Sequence, residues 1–147
     1  MPIAITNRQA KLSGEILSSI FDDSSTNITI SDSYQTLTDT SVDFESDRAG
    51  DVLLMFEALI DKTTSAETDI QMQLLSDNVA ISGSSRTMHD FGSTVGAQIV
   101  RGQWILDVSS STTANFKVQI KKGNRDASCF LRYGGGAPVM VFRIIGL

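Results

Sequence analysis

The chain has 147 residues and one cysteine, Cys129, so it cannot form an intramolecular disulfide, and a disulfide-stapled scaffold is excluded. A hydrophobic fraction of 41% with 20% charged residues is typical of one globular domain and differs from a disordered chain. The net charge of -5 argues against nucleic-acid and anionic-membrane partners, because both need clustered Lys and Arg.

The N-terminal segment carries the helical pattern of the sequence. Apolar residues recur every three to four positions between residues 7 and 21, and Asn7 is placed to cap the first turn. Gly14 weakens such a helix by about 1 kcal/mol, so its apolar side needs a surface to dock on. We therefore expect residues 1–26 to form an arm with a short amphipathic helix, which either covers its own domain or anchors it to a neighbouring subunit. Its predicted partner-binding residues are Leu12, Ile16, Leu17, Ile20 and Phe21.

From residue 27 onward the sequence favours strands. Residues 50–61 form an almost unbroken apolar run, which predicts a strand covered on both faces. Residues 69–74 and 115–121 alternate between apolar and polar, as half-buried strands do. About eight to ten such segments, separated by turn signals, predict an all-β fold: an antiparallel, jelly-roll-like β-sandwich over residues 27–147.

The sequence shows no catalytic constellation. The single histidine, His89, is followed by Asp90, but there is no Gly-x-Ser-x-Gly elbow to supply a nucleophile. His89 and Cys129 stand alone and far apart, so we expect no zinc site within one chain, although copies of His89 could meet on a symmetry axis. We predict a protein that is not an enzyme and has no catalytic residues, metal or cofactor.

Loop acids and aromatic residues leave two binding interpretations open. Calcium prefers several carboxylates on flexible loops, but solvated loop acids are the simpler interpretation here. Trp104 and Tyr34 could stack on sugar rings, whereas a core role suits Trp104 better, since it lies in an alternating segment. The acids concerned are Asp39, Asp43, Asp47 and Asp51.

Five segments together resemble the β-sandwich virion proteins of tailed bacteriophages. They are residues 33–37 (SYQTL), 50–56 (GDVLLMF), 84–86 (SSR), 100–104 (VRGQW) and 141–145 (VFRII). The resemblance is one of pattern, covers residues 28–147 and leaves out the arm. It implies a capsid decoration (cement) protein or a part of a head or tail fibre, commonly a trimer.

A decoration protein acts mechanically. The resemblance implies that the chain binds the assembled phage head and stabilises it, because it binds the shell and not the free subunits. Its partners would be the major capsid protein or other virion subunits, with three copies of the chain in a homotrimer. The N-terminus carries no signal-peptide pattern, so we expect synthesis in the host cytoplasm and a final location in the virion. The alternative is a fibre or adhesion module that binds host-surface carbohydrate through Trp104, Tyr34 or Tyr133.

Overall fold

The computed structural model describes residues 16–22, 27–46, 48–132 and 140–147. Within these residues the chain forms two antiparallel sheets, which confirms the predicted all-β sandwich. No helix in the described part is long and apolar enough to cross a membrane. The first sheet contains β1 (Ile16–Asp22), β2 (Ile28–Thr29), β4 (Gly50–Lys62), β8 (Gly96–Val108), β10 (Cys129–Leu131) and β11 (Met140–Gly146). The second sheet contains β3 (Gln35–Glu45), β5 (Thr68–Ser76), β6 (Val79–Ala80), β7 (Arg86–Gly92) and β9 (Thr113–Lys122).

Strand β4 is the centre of the first sheet. On one side it pairs with β8 along its whole length, from Gly50 opposite Val108 to Lys62 opposite Gly96. On its other side β11 and β10 pair with successive parts of β4. Strands β1 and β2 then pair with β11 and β10, respectively. The apolar run at residues 50–61 is therefore a central strand of this sheet.

The core lies between the two sheets and is built from the alternate residues of each strand. In β4 the inward side chains from Val52 to Ile60 are buried, and those of β5 and β9 face them. Trp104 of β8 is only 2% exposed, and its indole Nε1–H donates to the carbonyl of Ser84 at 2.7 Å. Each large apolar side chain buried in this way contributes about 1.5–3 kcal/mol.

The predicted helix is wrong for Ile16 to Phe21, because these residues lie in β1. Strand β1 pairs with β11, and its register places Ile20 opposite Phe142. A helix that contains Gly14 is marginal in isolation, whereas an extended segment gains a hydrogen-bonded ladder from β11. Residues 7–15, including Leu12, lie outside the described residues. The division into an arm (1–26) and a sandwich domain (27–147) stays a prediction.

A break in register interrupts the pairing of β3 with β9. Leu37 lies opposite Val118 and Val42 lies opposite Phe116, so β3 carries extra residues between these pairs. Thr40 lies in this bulge and is 0% exposed. Its hydroxyl accepts the Val118 N–H at 2.8 Å and donates to the Leu37 carbonyl at 2.6 Å. The side chain therefore supplies the hydrogen bonds that the interrupted ladder cannot make.

Candidate functional site: the outer face of the first sheet

The side of β4 that points away from the core is also apolar. Its inward residues are buried, whereas the outward Leu53, Met55 and Leu59 are only half-buried. An ordinary antiparallel strand with one solvated side places polar residues there. The sequence predicted cover on both faces of this strand, but the described residues cover only the inner face completely.

The neighbouring strands extend this apolar surface. Opposite Leu53 lie Ile105 of β8 on one side and Ile145 of β11 on the other. Ile99 and Ile105 are 58% and 61% exposed, which is unusual for isoleucine in a sheet. We use the name apolar outer face for the outward apolar side chains of this sheet: Leu53, Met55, Leu59, Ile99, Ile105, Phe130, Val141 and Ile145.

Two ion pairs lie among these apolar residues. Arg101 Nε is 3.2 Å from Glu57 Oε1, across the β8–β4 pair. Arg132 Nη1 is 3.7 Å from Asp61 Oδ2. Exposed pairs of this kind contribute little to stability, about 0–1 kcal/mol, but they fix a charge pattern that a partner could match.

A groove of about 270 Å³ opens at the margin of the same face. Leu53 and Ile105 line it from the apolar outer face, and Arg86, Gln103 and Trp104 complete it. The Arg86 guanidinium donates from Nη1 to the Gln103 carbonyl at 3.4 Å, beside the groove. The surface therefore combines exposed apolar side chains with a groove that a partner's side chain can enter.

The outer face of the second sheet has the opposite chemistry. Gln73 Nε2 donates to Gln119 Oε1 at 2.5 Å, and Gln119 Nε2 donates to Thr36 Oγ1 at 3.0 Å. Asn115 Nδ2 likewise donates to Asp43 Oδ1 at 2.9 Å. These polar side chains are paired with one another and suit contact with water. The two outer faces of the sandwich thus differ, and the first sheet carries the surface suited to burial against another molecule.

The structure places four of the five predicted partner-binding residues in β1, at the edge of the first sheet. Ile16 lies opposite Ile145 and Phe21 opposite Val141, so both are register partners of residues in the apolar outer face. Ile20 lies opposite Phe142 instead, and Leu17 falls at a register shift. The fifth residue, Leu12, is outside the described residues. The role of all five in binding stays a prediction.

The sequence singled out His89 and Cys129 as reactive side chains, and neither is part of the apolar outer face. Asp90 Oδ1 accepts the Gly92 N–H at 2.8 Å, and no hydrogen bond joins it to His89. The His89 ring instead meets Phe91 edge-on, with ring centroids 4.6 Å apart. No described group of three or more His, Cys, Asp or Glu residues could hold a metal ion.

Cys129 is fully buried. Burial raises the pKa of its thiol above the ordinary value, while the nearby Lys122 and Lys62 ammonium groups lower it and Asp61 raises it further. A thiol held in its neutral form is a poor nucleophile, because the thiolate is the reactive species. Cys129 therefore behaves as a core residue.

The residues considered for sugar or calcium binding are scattered. Trp104 is buried in the core, as its alternating segment predicted, and this removes it as a sugar platform. Tyr34 donates to or accepts from Ser85 Oγ at 2.5 Å, and Lys121 Nζ lies 4.9 Å from its ring centroid. Asp43 is engaged with Asn115, and Asp51 is exposed at the start of β4. Asp47 and Tyr133 lie outside the described residues, and the Asp39 side chain is likewise not described.

No family model and no curated protein matches the sequence. Among solved structures, the infectious bursal disease virus Gt strain is 13% identical over 88% of this chain, with a TM-score of 0.49. The VP2 subviral particle of the same virus is 14% identical over 87% of this chain, with a TM-score of 0.48. This chain spans only 37% and 36% of those two chains.

A second group of similar structures consists of carbohydrate-binding modules. The module from Cellvibrio mixtus lichenase 5A, solved in complex with cellotriose, is 12% identical, with a TM-score of 0.43. The match covers 90% of this chain and 98% of the module. At such identities and TM-scores, neither group decides what this chain does.

Proposed function

We propose that the chain is a virion structural protein that binds assembled particles through the apolar outer face. Within that class we propose a capsid decoration protein of a tailed bacteriophage, with the major capsid protein as its partner. The observation that carries the proposal is the second side of β4, where Leu53, Met55 and Leu59 continue an apolar surface that the described chain leaves partly open.

The energetics favour a partner on this face. Burying apolar area stabilises a complex by about 25 cal/mol per Å² before ordering costs, and a stable interface buries about 800 Å² on each side. Docking that buries the exposed Ile99 and Ile105 would therefore stabilise the complex. A protein that binds only the assembled shell also stabilises that shell by linkage, which is what a decoration protein does.

Strand β1 pairs with β11 at the edge of the same sheet, and we propose that it belongs to the same docking surface. Ile16 and Phe21 sit beside Ile145 and Val141 in the register, so a partner that covers the outer part of β11 would also reach β1. The partner-binding role predicted for this segment thus becomes part of one docking surface. The resemblance in sequence predicts a homotrimer on the shell, a number of copies that solution mass tests directly.

The proposal is tested by measuring whether purified virus particles contain the chain. Virus particles are purified from infected cells that make the chain. Mass spectrometry then measures the number of copies of the chain for each copy of the major capsid protein. We expect a fixed stoichiometry, and cryo-electron microscopy should place the first sheet against the shell. A chain absent from purified particles, or one attached through the second sheet, would overturn the proposal.

A second candidate is a carbohydrate-binding adhesion module, which the amide-rich outer face of the second sheet favours. Gln73, Gln119 and Asn115 present side-chain amides there, and Tyr34, directly before β3 of the same sheet, is a half-buried aromatic residue. Amides and hydroxyls suit sugar hydroxyls, but the face lacks an open aromatic platform among the described residues, since Lys121 lies over Tyr34. Glycan-array binding that is lost in Gln119→Ala would favour this candidate.

A further inference from the structure

The outer edge of β8 is long and has no partner among the described strands. Strand β8 runs from Gly96 to Val108 and, among the described strands, pairs with β4 alone. Thirteen residues of strand span about 43 Å at 3.3 Å per residue. Such an edge presents a row of backbone donors and acceptors to any segment that lies beside it, and proteins usually shorten or cover it.

The direction of the backbone groups of β8 follows from the bonds of β4. The carbonyls of Asp51 and Leu59 accept the N–H groups of Leu147 and Arg132, respectively, so odd-numbered residues of β4 face β11 and β10. Even-numbered residues of β4 therefore face β8, and Leu54 lies opposite Trp104 in that pair. Hydrogen-bonded residues of β8 are thus even-numbered, and its odd-numbered residues direct N–H and C=O to the open edge.

The Arg86 side chain agrees with this direction. Its guanidinium donates to the carbonyl of Gln103, an odd-numbered residue, from outside the sheet. The odd-numbered residues also carry the outward side chains of β8, including the exposed Ile99 and Ile105. One set of residues therefore supplies both the open backbone groups and the exposed apolar side chains.

We propose that β8 pairs antiparallel with β8 of a second copy of this chain, about a two-fold axis at Gly102. Ile99 and Ile105 lie three residues on either side of Gly102, so this register sets each Ile99 opposite Ile105 of the second copy. Arg101 then faces Gln103 of the second copy. The two-fold axis repeats the contact between Ile99 and Ile105, so this hydrophobic pair forms twice. No like charges lie opposite each other on the shared face.

Neighbouring registers lack this match. An axis at Arg101 sets the two Arg101 side chains against each other, which is unfavourable. An axis at Gln103 sets Ile99 against Asp107 and Arg101 against Ile105. The spacing of the two isoleucines therefore selects Gly102 and makes the edge self-complementary. Arg86 is exposed, and its long side chain would swing away from the Gln103 carbonyl.

The pairing joins the first sheets of two copies into one continuous sheet. A two-fold axis normal to the sheet keeps both apolar outer faces on the same side, so the docking surface doubles. This consequence for particle binding rests on the proposed function, whereas the pairing itself does not. An isologous contact closes with two copies, so the edge predicts a dimer where the resemblance in sequence predicts a trimer.

The test measures the mass of the full chain in solution by light scattering and analytical ultracentrifugation. Wild type should show twice the 15.9-kDa mass of one chain. A variant with both Ile99→Lys and Ile105→Lys opposes two like charges in this register and should be monomeric. A matched variant with Ile99→Lys and Ile105→Glu opposes a lysine to a glutamate and should remain dimeric, with at least a tenfold lower dissociation constant than the double-lysine variant.

Val79→Lys is the control for added charge, since Val79 is 69% exposed and lies on β6 of the second sheet. It should leave the dimer intact, and circular dichroism should show that all variants fold. A monomeric or trimeric wild type would overturn the proposal, as would a dimer that persists in the double-lysine variant. Equal loss in both double variants would overturn the Gly102 register. This test does not measure particle binding, so the result for the dimer is independent of the proposed function.

Discussion

Replacing Thr40 with valine should show how much the bulge in β3 depends on one hydroxyl. The two side chains have nearly the same shape, so Thr40→Val removes hydrogen bonds without opening a cavity. The change leaves the buried Val118 N–H without the acceptor that it has at 2.8 Å, and the Leu37 carbonyl loses its donor at 2.6 Å. A buried polar group left without a partner costs about 1–3 kcal/mol, so we expect a loss of about 2–6 kcal/mol for the two groups together.

The assay for Thr40→Val is equilibrium unfolding in urea, followed by the fluorescence of the single tryptophan, Trp104. In a thermal melt of a chain of this size, the same loss corresponds to a fall in Tm of roughly 4–24 °C. Thr40→Ser is the matched control, because it keeps the hydroxyl and removes one methyl group, at a cost of about 0.8 kcal/mol. If the valine variant is as stable as the serine variant, the Thr40 hydroxyl does not hold the bulge.

Three further predictions concern the core. Trp104→Phe should cost about 2–4 kcal/mol in urea unfolding followed by circular dichroism, because it opens a cavity and leaves the Ser84 carbonyl without its donor; a loss below 1 kcal/mol would contradict this. Gly102→Ala should cost about 1–3 kcal/mol in thermal melts, since its Cβ would lie 2.8 Å from Trp104 Cη2 and 3.1 Å from Met72 Sδ; an unchanged Tm would show that the indole gives way. Burial raises the pKa of the Cys129 thiol, so its contribution is fully present below the pKa of the unfolded chain and is lost as the pH rises through the folded pKa. The stability of wild type should therefore fall more steeply above about pH 8.5 than that of Cys129→Ala, and parallel curves would contradict this.

The strands that alternate in sequence were predicted correctly, because a period of two reports directly which residues face the core. Ile70, Met72 and Leu74 of β5 are all buried, as their alternation with glutamines required. Val118 and Ile120 of β9 are buried for the same reason. In such strands the hydrophobic pattern and the local propensity agree, so little depends on the rest of the fold.

The segment that forms β1 could not be predicted from its own residues. The apolar residues between positions 16 and 21 fit a helical spacing and an extended strand almost equally, and short apolar segments are ambiguous in this way. What decides the conformation is the open edge of β11, which offers Ile144 and Arg143 as partners for Ser18 and Ser19. That edge is brought into place by residues more than a hundred positions away, and no local signal reports it.

The candidate site was missed for a related reason. An apolar strand face looks the same in sequence whether its cover is another sheet of the same chain or another molecule. The signal was present in Leu53, Met55 and Leu59, and in the isoleucines of β8, but only the structure shows that the former are half-buried and the latter exposed. The bulge at Thr40 is equally invisible, since its register shift depends on the partner strand β9.

The proposed function requires that the apolar outer face binds the assembled particle. The most direct measurement is the rebinding of purified protein to virus particles that have been stripped of it, quantified by co-sedimentation. Ile145→Lys changes this face on β11, away from the open edge of β8, and Val79→Lys adds the same charge to the second sheet. We predict that wild type and Val79→Lys rebind to saturation and that folded Ile145→Lys binds at least tenfold more weakly. Equal binding by all three proteins would mean that the apolar outer face does not contact the particle.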